Sequence, residues 1–220
     1  MSVLAAAAIL VELFTSEGCS SCPPADATLA RLEREQPVPG VRLLLLSEHV
    51  DYWNDQGFRD PYSSAQFTAR QGRYGDRMYT PQAIVDCHFD VLGSDQEGIV
   101  RAAKGAALEP HGTLSVSRAS GAHRLHLAAS GLPPHGPSQV MLAVVEDGLV
   151  DKVERGENAG RTLSHTAVVR ALKGVATISG SASEWSGDVE VPQGASWKET
   201  RIVAFVQDTR SSRVLAAGAL

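Results

Sequence analysis

The stretch Ile9 to Leu32, ILVELFTSEGCSSCPPADATLARL, constrains the fold more than any other part of the chain. Ile9 to Phe14 is a short, mostly apolar run of the kind that forms a buried strand. A polar turn, Thr15-Ser16-Glu17-Gly18, leads into Cys19-Ser20-Ser21-Cys22. After Pro23 and Pro24, the residues Ala25, Leu29 and Leu32 recur at helical spacing. Proline suits a first helical turn, where its missing donor would have had no partner. Two residues between the cysteines let the sulfurs bond across that turn, where free N–H groups and the helix dipole favour a thiolate. The pattern points to a redox site, with Cys19 as nucleophile and Cys22 as the cysteine that resolves the mixed disulfide. The redox-active Cys19–Cys22 disulfide is then the working group, and no separate cofactor is expected. Two other readings stay open. A single CxxC is half of a zinc knuckle, although the chain offers no second CxxC and no HxxxH. A structural bridge is the other, although so tight a loop constrains the unfolded chain little.

The chain is 220 residues long, enough for one large domain or two small ones. Its net charge of −5, without a basic block, argues against nucleic acid as a partner. No apolar run approaches the roughly 20 residues of a membrane-spanning helix, so no transmembrane segment is expected. Val3 to Leu10 is Ala-rich and apolar, but the first basic residue is Arg31, so no signal peptide is evident. A mature or trimmed form beginning in its first strand is the expectation. Three cysteines are too few for a disulfide scaffold.

Beyond the first helix, Val41 to Leu46 is a nearly continuous apolar run, predicting a central strand parallel to the first. The segment Ser47 to Pro61 follows it, with His49, Asp51, Tyr52, Trp53, Asn54, Asp55 and Arg59. Its position predicts a cleft wall beside the cysteines in which His49, Tyr52 and Trp53 meet substrate. The plainer alternative is a surface loop anchored by Tyr52 and Trp53. A helix is predicted within Pro61 to Gly75 with Ser63 or Ser64 as cap, then a strand over Ala83 to Val85 and a hairpin partner at Val91 to Gly93. A helix over Ser94 to Leu108 closes this half. After Glu109-Pro110-His111-Gly112, short strands alternate with Gly/Pro/Ser turns. They are predicted at 114–117, 125–129, 139–145, 167–178, 188–191, 202–206 and 214–217.

The string VELFTSEGCSSCPPAD resembles the signature of a family of bacterial, mostly exported proteins catalogued as a domain of unknown function and assigned to the thioredoxin-like superfamily. Three further pieces fit it in order: HVDYWNDQGFRDPYSSAQFTARQGRYG, YTPQAIVD and GENAGRTLSHTAVVR. The resemblance implies an α/β thioredoxin-like domain, over residues 1–110, and the short strands beyond it predict an all-β sandwich over 111–220. It implies a periplasmic or secreted protein but supplies no substrate; the CxxC between strand and helix is what predicts a thiol–disulfide oxidoreductase acting on an unidentified protein thiol or disulfide. It places a cis proline opposite the cysteines at Pro81, leaving the Thr80 backbone, with Ser20 and Ser21, to meet the partner. Thioredoxins carry a buried acid six residues before their first cysteine. Glu12 stands seven before Cys19, so its role as proton acceptor needs an extra residue in the turn.

Two alternative functions come from other classes. Cys19, Cys22 and His49 would resemble the ligand set of copper chaperones built on related folds. A non-catalytic binding module would keep CSSC as a permanent disulfide. Cys87, beside His88, is read first as a small buried hydrophobe, and otherwise as a partner for Cys19 or a metal ligand. The loop Gly156 to His165 carries more polar groups than a hairpin requires. Besides simple solvation, it would close one wall of the cleft, with Arg161 lowering the Cys19 pKa and His165 relaying a proton.

Overall fold

The first apolar run becomes strand β1 (Ala7–Thr15) in the computed structural model, which describes residues 7–54, 58–121, 123–194 and 200–220. The start of the Ala-rich segment, Val3 to Ala6, and Asp55 lie outside the described residues. Helix α1 (Pro23–Glu35) opens on the two prolines and buries Ala25, Leu29 and Leu32. Strand β2 (Val41–His49) lies parallel to β1, with Leu10 opposite Leu44 and Thr15 opposite His49. The Ser64 side chain caps α2 (Ala65–Gln71). Strands β3 (Gln82–Val85) and β4 (Phe89–Leu92) extend the sheet antiparallel on the other side of β1. Helix α3 (Gln96–Ala106) is capped by Asp95, whose carboxylate accepts from the Gly98 N–H at 2.8 Å.

The second half adds β5 (Thr113–Arg118), β6 (Arg124–Ser130), β7 (Ser138–Glu146), β8 (Leu149–Lys152) and β9 (Thr162–His165). It ends with β10 (Val168–Ile178), β11 (Glu184–Glu190), β12 (Thr200–Asp208) and β13 (Val214–Ala219). The expected fold, an α/β thioredoxin-like domain followed by a sandwich of its own, is corrected here. The described residues form thirteen strands and only three helices, and strands from both halves share one mixed sheet of eight. Its order is β13-β12-β7-β10-β2-β1-β3-β4. The seam is the parallel pairing of Val168 with Ser47, where the Ser47 N–H donates to the Ala167 carbonyl at 2.7 Å.

The physical reason lies in strands that are apolar on both faces. Along β7, Val140, Leu142 and Val144 enter one core with Leu114, Leu125 and Leu127. Met141, Ala143 and Val145 enter a second core with Ile9, Leu13 and Leu32. β12 divides the same way, Ile202, Ala204 and Val206 to the first and Val203 and Phe205 to the second. A separate sandwich would leave the second set in water, at about 1.5–3 kcal/mol for each large side chain. The sheet β11-β6-β5 covers the first core. The hairpin β8-β9 stands apart from both sheets, with β9 against α1. Among the described residues no helix is long and apolar enough to cross a membrane.

Candidate functional site

Cys19 and Cys22 are joined in a disulfide at the N-terminus of α1. The Cys22 N–H donates to the Cys19 carbonyl at 3.2 Å, and the Cys22 carbonyl accepts from Ala25 and Asp26. The helix is wound directly onto the cysteine loop. Both cysteines are fully buried, whereas Ser20 and Ser21 between them are exposed. Cys19 is therefore no more open than Cys22. Pro23 and Pro24 supply no N–H to a sulfur in the first turn. The Ser21 hydroxyl does lie close, its Oγ 3.3 Å from Cys19 Sγ and 3.5 Å from the Thr80 carbonyl oxygen.

The Thr80–Pro81 peptide is cis, and Pro81 is buried. The Pro81 carbonyl accepts from the Gly93 N–H at 2.9 Å. A methyl group on Gly93 would come within 3.0 Å of Pro81 Cβ and 3.2 Å of Ala25 Cβ, so glycine is what lets these segments close. Trp53 donates its indole N–H to Thr80 Oγ1 at 2.8 Å, and its Cβ lies over Gly18. Tyr52 is partly exposed and donates to Gln71 Oε1 at 3.2 Å. Of the pair, Trp53 is the one that meets the cysteine turn.

Beneath the turn lies a buried set of titratable groups. Glu17 Oε1 is 2.9 Å from His165 Nε2, and the Glu17 N–H donates to Asp60 Oδ2 at 2.9 Å. Asp60 Oδ2 is also 2.7 Å from His49 Nδ1. The rings of His49 and His165 stack edge to face with centroids 5.0 Å apart, and Tyr62 packs on both. Asp26, in α1, accepts from Thr15 Oγ1 at 2.9 Å. Burial pushes the Asp26 carboxyl above its ordinary range, and the neighbouring His165, His49 and Thr15 hydroxyl only partly oppose it. Burial works against a charge on His49, but Asp60, with Asp26 and Glu17 behind it, prevails and raises its pKa. Asp60 is held low, since His49 and the N–H groups of Glu17 and Tyr62 outweigh its own burial.

Glu12 is corrected as the partner of the resolving cysteine. Leu13 comes close to Gly93 beside Ala25, and Thr15 reaches Asp26, so these two residues face α1. Strand alternation turns Glu12 to the opposite side. There it pairs with Arg70, accepts from the Tyr74 hydroxyl at 2.7 Å and lies 3.3 Å from Cys87 Sγ. Arg70 holds the Glu12 carboxyl low against the effect of its burial, while burial and Glu12 together raise Glu48 beside it. Cys87 is a buried free thiol in this second cluster. Of the alternative ligand set Cys19, Cys22 and His49, the two sulfurs are bonded to each other and His49 is engaged with Asp60, and no group of three or more potential ligands is positioned for a metal among the described residues.

The loop between β8 and β9 lies against the cysteine turn. Glu157 Oε2 accepts from the Ser20 N–H at 3.0 Å, and Asn158 Nδ2 donates to the carbonyls of Glu17 and Cys19 at 2.8 and 2.9 Å. Arg161 is exposed and donates to Asn158 Oδ1 at 3.0 Å, while His165 is buried on Glu17. Sequence reasoning passed over Glu17, Asp26, Asp60, Glu157 and Asn158. All five stand inside the quoted motifs, but as polar residues in turns they carried no spacing signal of their own.

A crystal structure of a protein from Agrobacterium tumefaciens, solved in a structural genomics programme, is similar to this chain. The identity is 27%, the match covers 96% of this chain and 93% of that one, and the TM-score is 0.76. A domain of the outer membrane lipoprotein Omp28 from Porphyromonas gingivalis matches at 13% identity over 50% of this chain and 87% of that one, with a TM-score of 0.29 too low to carry an argument. No curated protein sequence matches. The profile of the family described as "protein of unknown function (DUF1223)" matches residues 10–207, and the chain belongs to that family.

Proposed function

We propose that the protein exchanges disulfides with a protein thiol or disulfide partner through Cys19 and Cys22. The observation that carries the reading is a closed two-residue disulfide at the first turn of α1, under an exposed Ser20-Ser21 shoulder beside the Thr80 carbonyl. A partner thiolate attacks Cys19 Sγ. The bond between the cysteines breaks, and its electron pair leaves on Cys22 Sγ, which takes up a proton. A second partner thiolate attacks its own sulfur in the mixed disulfide and releases Cys19 with the other electron pair and a proton. One disulfide is reduced and one partner dithiol oxidised, and the same steps reversed reduce a partner disulfide. Asp26, one helical turn after Cys22 and on its face of α1, is the acid assigned to the Cys22 proton. The resemblance to exported proteins supports a periplasmic or secreted partner.

The test is insulin reduction, and oxidation of a reduced protein substrate, by wild type and Cys19→Ser. Turnover by wild type alone supports the proposal. Equal activity in both, or none in either across a range of donors, overturns it. A permanent structural bridge is the second reading, favoured by the complete burial of both cysteines.

A further inference from the structure

The Cys19 carbonyl and the Ser20 N–H belong to one peptide group, and two consecutive residues from far along the chain take one end each. Glu157 Oε2 accepts from the N–H at 3.0 Å, and Asn158 Nδ2 donates to the carbonyl at 2.9 Å. Asn158 is completely buried although Glu157 and Ala159 on either side are exposed. Its second amide hydrogen reaches the Glu17 carbonyl at 2.8 Å, and its Oδ1 accepts from Arg161, so the side chain is fully engaged. The loop that presents these two residues is braced from within. The Gly160 N–H donates to the Val153 carbonyl at 2.8 Å and the Arg161 N–H to the Asn158 carbonyl at 3.0 Å. Gly156 and Gly160 adopt φ of +83° and +81°, which glycine reaches without strain.

We propose that Glu157 and Asn158 are positioning residues that clamp the Cys19–Ser20 peptide group and hold down the reactivity of Cys19, a role that rests on the exchange chemistry above. A thiolate at Cys19 is stabilised by nearby donors and by positive charge. Pro23 and Pro24 offer no N–H, so the Ser20 N–H is one of few backbone donors in the turn, and Glu157 engages it. Ser20, through its hydroxyl and its N–H, keeps the Glu157 carboxyl below the ordinary range, so the clamp is a carboxylate at neutral pH. Asn158 keeps the peptide plane from turning away. The other titratable and charged groups around the turn are Glu17, Asp26, Asp60, His49, His165 and Arg161, and substitution of Glu157 leaves all six in place.

The experiment uses the full chain, reduced by a small thiol, and reads the rate of iodoacetamide alkylation at Cys19 against pH. Glu157→Gln keeps an acceptor for the N–H without the charge, and Glu157→Ala removes both. Glu157 is exposed, so neither change disturbs the core. The clamp predicts profiles displaced to lower pH, with alkylation near neutrality faster by about threefold, a modest factor because salt screens an exposed charge. The Gln displacement should shrink in high salt, which a purely structural role would not produce. Asn158→Ala should displace the profile in the same direction. Profiles superimposable on wild type, in a protein whose pair does exchange with thiols, overturn the clamp alone. A wild-type pair that no thiol reduces in the folded chain overturns the exchange chemistry and the clamp with it.

Discussion

His165 Nε2 lies 2.9 Å from Glu17 Oε1, and both side chains are buried. Through this contact the hairpin β8-β9 holds the turn that carries the disulfide, across 148 residues of chain. Glu17 Oε2 has no hydrogen-bond partner among the described residues, so the buried carboxyl group depends on His165. Removing one partner of a buried hydrogen bond leaves the other unsatisfied, at about 1–3 kcal/mol. His165→Ala should therefore lower the stability to urea by about 2 kcal/mol. A loss below roughly 1 kcal/mol, the scale of an exposed pair, would contradict the buried arrangement.

The pair His49–Asp60 predicts a pH dependence of definite sign. The His49 pKa is raised above the ordinary 6.5, so its stabilisation is complete below 6.5 and is lost as pH rises through the higher folded value. The Asp60 pKa is lowered from 3.8, so its contribution is complete above 3.8 and is lost as pH falls through the lower folded value. Between those two values both contribute. The stability deficit of His49→Gln relative to wild type should be largest in that window and should shrink as pH is raised further. Denaturant titrations at several pH values check this, and a deficit that grows toward alkaline pH would count against it.

Gly18 predicts a steric effect. A Cβ there would stand 3.0 Å from Trp53 Cβ and 3.4 Å from the Trp53 carbonyl oxygen, neither of which is the free end of a flexible chain. Gly18→Ala should push Trp53 off the turn and lengthen its hydrogen bond to Thr80, costing about 1–3 kcal/mol as overpacking usually does. Trp53 emission should shift toward that of a more exposed indole. Unchanged emission with unchanged stability would show that the turn has room to spare.

Much of the local structure was legible. β1, α1 and β2 were marked by the run Ile9–Phe14, by the spacing of Ala25, Leu29 and Leu32, and by Val41–Leu46. The shared sheet was not recognised, although its trace was present. In β7 every residue from Val140 to Val145 is apolar, the pattern of a strand covered on both faces rather than of one side of a free sandwich. What no local pattern could reveal was the partner on the second face, since the pairing of Val168 with Ser47 joins residues far apart in sequence. β8 and β9 are four residues each and at least half polar, too short to register as strands. The loop Gly156–His165 stood out by its density of polar groups, yet the residues that reach the cysteine turn are Glu157, Asn158 and His165. Arg161 hydrogen-bonds to Asn158.

The central claim is that the Cys19–Cys22 pair is redox-active in the folded protein, and its equilibrium with a thiol buffer tests that most directly. The native chain is poised across a range of glutathione or dithiothreitol ratios, quenched with an alkylating reagent and read by the mass of the peptide carrying both cysteines. The account predicts a single two-electron transition, in which a tenfold change in the equilibrium constant corresponds to about 30 mV, with circular dichroism unchanged throughout. A pair that stays oxidised until the chain unfolds would contradict it and leave the disulfide as a structural bridge.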